Sequence, residues 1–422
     1  MSFIREFFTS KKPAYWKIRL LAFLAVAGPG IITGTADNDA GGVATYSVAG
    51  AHFGYQMLWI LILITFMLYI TQEMGARLGV VTGKGLGDLI RERFGLKMAV
   101  VLVLIAAIAN FSNILADVAG VASVADIYHI PRLFFVPACI LFLWTIILRG
   151  NFNFVQNIFL TSSILFFCYL ANGFISKPDV PAMVYGSVVP TVQLTRDYIF
   201  TATALIGTTL TVWGQFFIQS YFVDKGVTKE HLKSAKADVF MGAFWTDFVA
   251  YFIIISAAAT LFVRGIRIES AGEAAMALEP LLGSIAKHLF AWGLLNAALL
   301  GAGVITMGTA YAITEVLGTE RKVNASFREA PIFYSIIGFC LFVCTLLVFI
   351  PNLPMIFILT ASQALNTIIL PIIFVAILIL INDKKLMGKH ANTKFYNVLV
   401  WITIAFFIIM SGTMLFLTFF KF

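Results

Sequence analysis

The stretch GTADNDAGG, residues Gly34–Gly42, interrupts a long apolar run near the start of the chain and decides the fold. It places Asp37, Asn38 and Asp39 between glycines, deep inside a run that covers residues 18–48. A carboxylate at the centre of a membrane costs at least about 2.5 kcal/mol on insertion scales, so these acids need a partner. The stretch predicts an unwound break in a membrane helix, and a cation is the simplest partner for its carboxylates.

The composition places the chain among integral membrane proteins. Of 422 residues, 60% are hydrophobic and only 12% are charged, whereas soluble domains carry about 25% charged residues. The net charge is +8, and the basic residues lie in short loops between apolar runs. This distribution is typical of the loops of membrane proteins and excludes nucleic-acid binding. The four cysteines lie inside apolar runs without CxxC spacing, so they indicate neither a disulfide framework nor a thiolate metal site.

Apolar runs of spanning length, about 20 residues each, predict an all-α protein with eleven membrane segments. Residues 1–17 are predicted to form a cytoplasmic N-terminal segment, and residues 18–422 a single transmembrane domain. In chain order, segments 1 to 11 cover residues 18–48, 56–76, 97–125, 132–149, 154–175, 199–223, 236–262, 289–317, 331–350, 355–381 and 395–420.

The lysines and arginines predict the orientation. With a cytoplasmic N-terminus, 22 of the 29 basic residues fall on the inner side, as the positive-inside rule requires. Eleven spans then place the C-terminus outside. We therefore expect a multi-pass protein of the cell (inner or plasma) membrane.

Segment 6 contains a second interruption, GTTLTVWGQ, at residues Gly207–Gln215. Freed backbone groups are tolerated at membrane depth only where they line a cavity or are buried in protein. Segments 1 and 6 are the first helices of two five-helix halves, and breaks at corresponding positions indicate a transporter site at the repeat interface. Segment 11 belongs to neither half.

The side chains around the two breaks offer oxygen as the ligand. Segment 6 supplies the hydroxyls of Thr208, Thr209 and Thr211, while neither break contains methionine and no histidine lies deep in a span. Carboxylate, hydroxyl, carbonyl and water suit hard cations such as magnesium, calcium and manganese. The alternative is that the threonines only hydrogen-bond between helices.

The first break and its surroundings resemble the NRAMP divalent-metal transporters. The stretch GPGIITGTADNDAGGVATYSVAGAHFGY, residues Gly28–Tyr55, aligns without gaps on the first helix of that family, and Asp39 falls on the aspartate of its D-P-G-N motif. Three further stretches, Ala76–Gly95, Gly207–Ser220 and Ser362–Gly388, extend the resemblance over most of the chain. The resemblance implies a LeuT-like fold with two inverted five-helix repeats, an eleventh helix, and breaks in helices 1 and 6 at mid-membrane.

Two side-chain ligands of that family are absent here. The motif's asparagine is Gly42, and in the family's A-T-V-M-P-H stretch of helix 6 the alanine becomes Thr208, the methionine Thr211 and the histidine Trp213. This pattern is similar to the NRAMP-related magnesium transporters, whose site is wider and accepts a partly hydrated ion. We expect Gly42 and Thr211 to make room for water, because magnesium keeps several of its waters.

The remaining expected roles also follow from the resemblance. Trp213 would line the enlarged cavity, or else face lipid or pack in the core. Asp37 would concentrate cations at the entrance. Gln363 matches the S-Q of helix 10 and would approach the ion or form an interhelical hydrogen bond. The family's proton relay is broken, since its histidine is Trp213 and only Asp117 remains of the helix 3 acids.

The sequence therefore predicts a carrier of Mg²⁺, and also of Mn²⁺, working by alternating access between helices 1 and 6 without proton coupling. The metal ligands are expected to be Asp39, Thr208, Thr211, Gly42, Asp37 and Gln363. No catalytic residue, resident cofactor, nucleic acid or obligate protein partner is expected; the partners are divalent ions and the bilayer. The alternatives are a proton-coupled Mn²⁺/Fe²⁺ symporter of the NRAMP type, an organic-cation carrier, a channel and, remotely, an intramembrane magnesium-dependent prenyltransferase.

Overall fold

The computed structural model describes residues 28–149, 163–269, 286–320 and 326–420, with isolated positions between these ranges. The predicted N-terminal segment 1–17 and the start of segment 1 lie outside the described residues. The described helices are α1 Pro29–Ala36, α2 Ala40–Phe53, α3 Leu58–Thr82, α4 Leu86–Ile127, α5 Arg132–Arg149, α6 Phe167–Ile175, α7 Val180–Val188, α8 Arg196–Thr209, α9 Val212–Asp224, α10 Leu232–Thr260, α11 Ala286–Leu317, α12 Pro331–Leu347, α13 Met355–Asn382, α14 Lys384–Met387 and α15 Lys394–Phe419.

Most predicted membrane segments correspond to one long apolar helix. In the described part of the chain, seven helices are long and apolar enough to cross a membrane, namely α3, α4, α5, α10, α11, α13 and α15, and α12 is apolar but shorter. Segments 1 and 6 correspond to the helix pairs α1–α2 and α8–α9. Segment 5 falls partly on residues outside the described ranges, and α6 is its end.

Two local differences from the prediction have simple causes. Helix α4 begins at Leu86 and not near residue 97, because Gly95, at a φ of 80°, joins a short preceding helix to the long apolar one. That preceding turn buries Leu89 and Ile90 while exposing charged side chains, so no apolar run revealed it. Helix α7 was not predicted either; it is only nine residues long and is capped by Asp179.

The apolar side chains divide between a shared core and the outer faces. One cluster of buried apolar residues joins helices from α1 to α15, with α4 packed mainly on α11 and α13, and α10 on α1, α2 and α3. In helices α5 and α15, only 22% and 33% of the most apolar 18-residue stretch is buried. Their remaining surface is apolar, as a lipid-facing surface must be.

Helix α1 is held tightly against α10. A Cβ atom at Gly34 would lie 2.3 Å from the carbonyl oxygen of Gly242, so this close approach requires glycine. The carboxylate of Asp238 on α10 accepts hydrogen bonds from the backbone N–H groups of Gly28 (3.0 Å) and Gly30 (2.6 Å) at the start of α1. The first half of the broken helix is thereby anchored up to the point where it unwinds.

Candidate metal site

The first break lies where the sequence predicts it. Helix α1 ends at Ala36 and α2 begins at Ala40. Asp39 is the N-cap of α2 and accepts a 2.6 Å hydrogen bond from the backbone N–H of Gly42. The carboxylate thus satisfies one of the free amides of the new helix, while the carbonyls at the end of α1 lack helical partners.

The second break repeats this arrangement with a hydroxyl in place of the carboxylate. Helix α8 ends at Thr209 and α9 begins at Val212. Thr211 is the N-cap, and its Oγ1 accepts a hydrogen bond from the N–H of Gly214 at 3.2 Å. Both predicted interruptions are therefore real breaks, each ended by a side-chain cap.

Asp39 is buried together with Gln363 and Asp117. The amide Nε2 of Gln363 donates to both carboxylate oxygens of Asp39, at 3.1 and 3.2 Å. Oδ1 of Asp117 accepts from the N–H of Ala40 at 3.1 Å, while its Oδ2 is buried without a hydrogen-bond partner. A Cβ atom at Gly301 on α11 would approach both Asp39 and Asp117 within 3 Å, so α11 closes this side of the site.

Thr208 faces the same site and lies directly beside Gly42. Oγ1 of Thr208 is buried close to the hydroxyl of Tyr46. A Cβ atom at Gly42 would lie 2.8 Å from Oγ1 of Thr208 and 2.9 Å from the carbonyl oxygen of Asp37. A larger residue at position 42 would therefore require Thr208 to move, while the expectation that glycine leaves space for a water stays a prediction.

Thr211 and Asp37 form a second group, apart from the contacts of Asp39. Oγ1 of Thr211 donates to Oδ1 of Asp37 at 3.2 Å, and Nε2 of Gln72 on α3 lies 3.4 Å from Oδ2. Asp37 is fully buried yet close enough to Asp39 for their charges to interact. The expected ligands therefore divide between two neighbouring groups, and Gln72 was missed by sequence reasoning.

Trp213 is a buried residue of α9. Its exposed fraction is 0%, so the alternative that it faces lipid is wrong. The indole lies 6.1 Å from the ring of Phe217 and next to Gly308 of α11. It fills the space between α9 and α11, in the first turn after the second break.

Two asparagines that sequence reasoning did not single out hold Gln363 in place. Nδ2 of Asn366 lies within hydrogen-bonding distance of Oε1 of Gln363 (3.2 Å) and of the carbonyl oxygen of Gly207 (3.0 Å). Asn113 on α4 pairs with Asn366 through both amide groups, at 3.1 and 3.3 Å. Polar residues inside membrane helices are rare and tend to be functional, and that signal could have identified both.

The charges of the site are not balanced by the protein. Asp37, Asp39, Asp117 and Asp247 are all at most 5% exposed. Across the ranges that the structure describes, no lysine or arginine forms an ion pair with any of them. Buried carboxylates without a cationic partner are costly, so this arrangement is suited to binding cations.

A helical membrane protein with two broken helices around an acidic, oxygen-lined site is the architecture of a secondary transporter. The chain belongs to the NRAMP family: the family described as "Natural resistance-associated macrophage protein-like" matches residues 30–417. This membership in a family of transporters excludes the prenyltransferase alternative.

Individual relatives and solved structures agree. The chain is 25% identical over 425 residues to the divalent metal cation transporter MntH of Caldanaerobacter subterraneus subsp. tengcongensis, covering 97% of this chain and 96% of that protein. It is 26% identical to MntH of Klebsiella pneumoniae, covering 92% and 93%. The fold is similar to the Eremococcus coleocola manganese transporter, with a TM-score of 0.76, 17% identity, and coverage of 98% of this chain and 90% of that chain.

A more distant structural match extends the fold assignment. The nucleobase-cation-symport-1 transporter Mhp1 has a TM-score of 0.58 at 14% identity, covering 92% of this chain and 90% of that one. At such identities the likeness concerns the fold alone. The all-α, LeuT-like fold with two inverted repeats and an additional helix is confirmed.

Proposed function

We propose that this protein carries divalent metal ions through the site at Asp39, with Mg²⁺ as a substrate and Mn²⁺ close behind. The observation that carries this proposal is the buried, unneutralised carboxylate of Asp39 beside the buried hydroxyl of Thr208 and the partner-free Oδ2 of Asp117. Relatives named as divalent metal cation transporters support the general class of substrate.

The donor set favours a hard ion. The side chains around Asp39 offer carboxylate and hydroxyl oxygens, while Gln363 turns its amide nitrogen to Asp39 and its oxygen to Asn366; Thr211 stands where the family has its thioether. Mg²⁺ is held by one or two carboxylates and keeps several waters, a demand that Asp39 and Asp117 can meet without soft donors. Mn²⁺ accepts the same oxygen ligands, so we expect the two ions to compete.

A proton-coupled Mn²⁺ symporter is the second candidate, and specific observations favour it. The Eremococcus coleocola protein of similar fold is named a manganese transporter. In addition, Oδ2 of Asp117 is buried without a partner close to Asp39, where it could take up a proton. The two candidates differ in ion preference and in whether protons accompany the metal.

The proposed direction is import, driven by the membrane potential. The excess of basic residues in alternate loops supports a cytoplasmic N-terminus, with the C-terminus outside. Two charges moving inward through a potential of 100 mV release about 4.6 kcal/mol. This driving force needs no coupled proton.

Reconstitution in liposomes tests the proposal. Uptake of Mg²⁺, Mn²⁺ and Ca²⁺ is measured in competition under an imposed potential, with a pH-sensitive dye in the lumen. We expect saturable Mg²⁺ uptake that Mn²⁺ inhibits, weaker Ca²⁺ uptake, and no acidification above that of protein-free vesicles. Mn²⁺ uptake without Mg²⁺ uptake, accompanied by proton entry in proportion to the metal flux, would establish the second candidate instead.

A further inference from the structure

A groove with a volume of about 660 Å³ lies at one end of the helix bundle. It is formed where α13 ends and α14 begins, between side chains of α4 and α15. None of the described residues that line it belongs to the metal site. The basic residues of the adjoining loops place this end of the bundle on the proposed cytoplasmic side, where the spanning helices leave the membrane. The groove is therefore a feature of the membrane surface that metal binding does not explain.

The polar part of the groove is positively charged. Its described lining contains three basic residues, Arg93, Lys384 and Lys385, and one acid, Asp383, which leaves a net charge of +2. Asp383 is a weak counter-charge, because its Oδ2 lies 3.8 Å from Arg93 and its Oδ1 accepts from the backbone N–H of Lys385 at 2.9 Å. In the described part of the chain, neither lysine forms an ion pair. The groove thus offers uncompensated positive charge to an anion.

The apolar part of the groove is open to the bilayer. It consists of Leu378 and Ile379, near the end of α13, and Trp401 of α15. Ile379 and Trp401 are 41% and 53% exposed, and both lie on helices long and apolar enough to span the membrane. Tryptophan is enriched at the boundary between membrane and water, where its ring meets both acyl chains and headgroups. The groove therefore joins a charged part at the membrane surface to an apolar part that contacts lipid.

Helix α4 indicates the same boundary independently. Arg93 lies just before Gly95, where the short amphipathic helix continues into the spanning helix. Leu96 and Met98 follow directly and are exposed apolar side chains. A charged side chain followed within about one turn by exposed apolar ones is typical of the point where a helix enters the lipid. Arg93 therefore stands at the level of the headgroups.

We propose that this groove binds an anionic phospholipid, with its phosphate held by Arg93, Lys384 and Lys385 and an acyl chain lying along Ile379 and Trp401. Basic pockets between membrane helices are suited to phosphate headgroups, and the net charge of +2 favours an anionic lipid over a zwitterionic one. A soluble anion would use the charges but leave the apolar part uncovered. The inference goes beyond metal transport and does not depend on it.

The bound lipid connects three helices at this end of the bundle. Asn382, which also lines the groove, exchanges hydrogen bonds with Asn397 near the start of α15, at 3.0 and 2.8 Å. This amide pair already joins the end of α13 to α15, and a lipid between Arg93 and Lys384 adds α4 to the junction. A ligand that binds only the folded protein raises its stability, so the lipid stabilises this part of the bundle.

Tryptophan fluorescence of the full-length protein tests the site, because Trp401 lies in the groove. In phosphatidylcholine vesicles, phosphatidylglycerol with brominated acyl chains quenches the tryptophans that it contacts. The chain has seven tryptophans, so the signal of Trp401 is taken as the difference between the wild type and Trp401→Phe. We expect this signal to be quenched at a lower fraction of brominated phosphatidylglycerol than of brominated phosphatidylcholine. Replacing both lysines, Lys384→Gln and Lys385→Gln, should reduce the preference about tenfold or more, and replacing both by arginine should retain it.

The matched control replaces two other lysines, Lys229→Gln and Lys233→Gln. Both are exposed at the same proposed side of the membrane, at the start of α10 and just before it, and neither lines the groove. The same change in charge should therefore leave the lipid preference unaltered. An equal preference in the wild type and in the folded variant of Lys384 and Lys385 would overturn the site. No preference in the wild type would also overturn it, and a second copy of the chain covering Trp401 would give that result.

Competition separates the lipid from a free phosphate ion. Inorganic phosphate, compared with chloride at the same ionic strength, should leave the quenching by phosphatidylglycerol unchanged. Loss of the lipid preference in phosphate but not in chloride would identify a free anion as the occupant and refute the lipid site. These measurements contain no divalent metal, so their failure would leave the proposed function standing, and absence of metal uptake would leave the lipid site standing.

Discussion

The two broken helices resume after their breaks with N-caps of different chemistry. Each new helix starts with a side-chain cap, from Asp39 at the first break and from Thr211 at the second. The first cap carries a charge and the second does not. A neutral cap would serve the helix as well, so capping does not require the charge at the first break, and this charge supports the proposed role of Asp39 as the ion ligand; the second break can contribute only neutral oxygens.

The two breaks are also anchored to different partners. The first half of the first broken helix, α1, packs on α10 through Gly34 and Gly242. The end of α8 packs on α13, where a Cβ atom at Gly207 would lie 1.9 Å from the carbonyl oxygen of Gln363. Asp39, at the start of α2, is hydrogen-bonded to Gln363 of the same α13, so α13 holds Asp39 and Thr208 together while α10 holds α1.

The strongest test of the asymmetry between the breaks compares the two caps. Asp39→Asn keeps a good N-cap but removes the charge, and we expect transport at low metal concentration to fall about 100-fold, because an ionised ligand contributes up to about 3 kcal/mol. Thr211→Ala removes a cap worth about 1 kcal/mol and should reduce uptake only about fivefold. Initial rates of uptake into liposomes measure both.

Thermal unfolding in detergent checks that both variants are folded. Equal losses of uptake in the two folded variants would show that helix capping, and not charge, determines the rate. Wild-type rates in Asp39→Asn would place the metal site elsewhere.

A smaller effect is expected from exchanging the neutral ligands. The structure shows that Gly42 and Thr208 compete for one space, so Gly42→Asn alone should destabilise the protein, and Thr208→Ala should recover part of that loss. Added to this pair, Thr211→Met supplies a thioether, and the ion preference should shift about tenfold from Mg²⁺ toward Cd²⁺.

Thermal unfolding of the single and double variants gives the coupling between positions 42 and 208, and competition uptake gives the ion ranking. Independent effects of Gly42→Asn and Thr208→Ala on stability would contradict the contact. An unchanged ion ranking in the folded triple variant would show that the second break does not set selectivity.

The smallest effect is expected from Asp37. Its carboxylate is held by Thr211 and Gln72, and its charge lies near Asp39 without the same contacts. Asp37→Asn should raise the half-saturation concentration about three- to tenfold, with little change in maximal rate. A concentration series for uptake separates the two parameters, and complete loss of transport would make Asp37 a direct ligand equal to Asp39.

Several features of the fold could be predicted because they follow from local sequence. Apolar runs of spanning length identified the long helices, and the polar stretches at 37–39 and 208–211 identified both breaks. The short amphipathic helix before Gly95 and helix α7 were not predicted, since neither has a long apolar run. The domain boundaries and the membrane orientation stay predictions, as do the individual metal-ligand roles.

By itself, the sequence determined the all-helical membrane fold, the positions of the two breaks and the acidic, oxygen-rich character of the site. These depend on the polarity of consecutive residues, which the bilayer selects strictly. Only the tertiary structure decided that Thr208 occupies the space beside Gly42, that Thr211 meets Asp37, and that Asn38 contacts Thr246, more than 200 positions away in the chain. Such contacts arise where separate helices pack, and no local pattern in the chain encodes their distances.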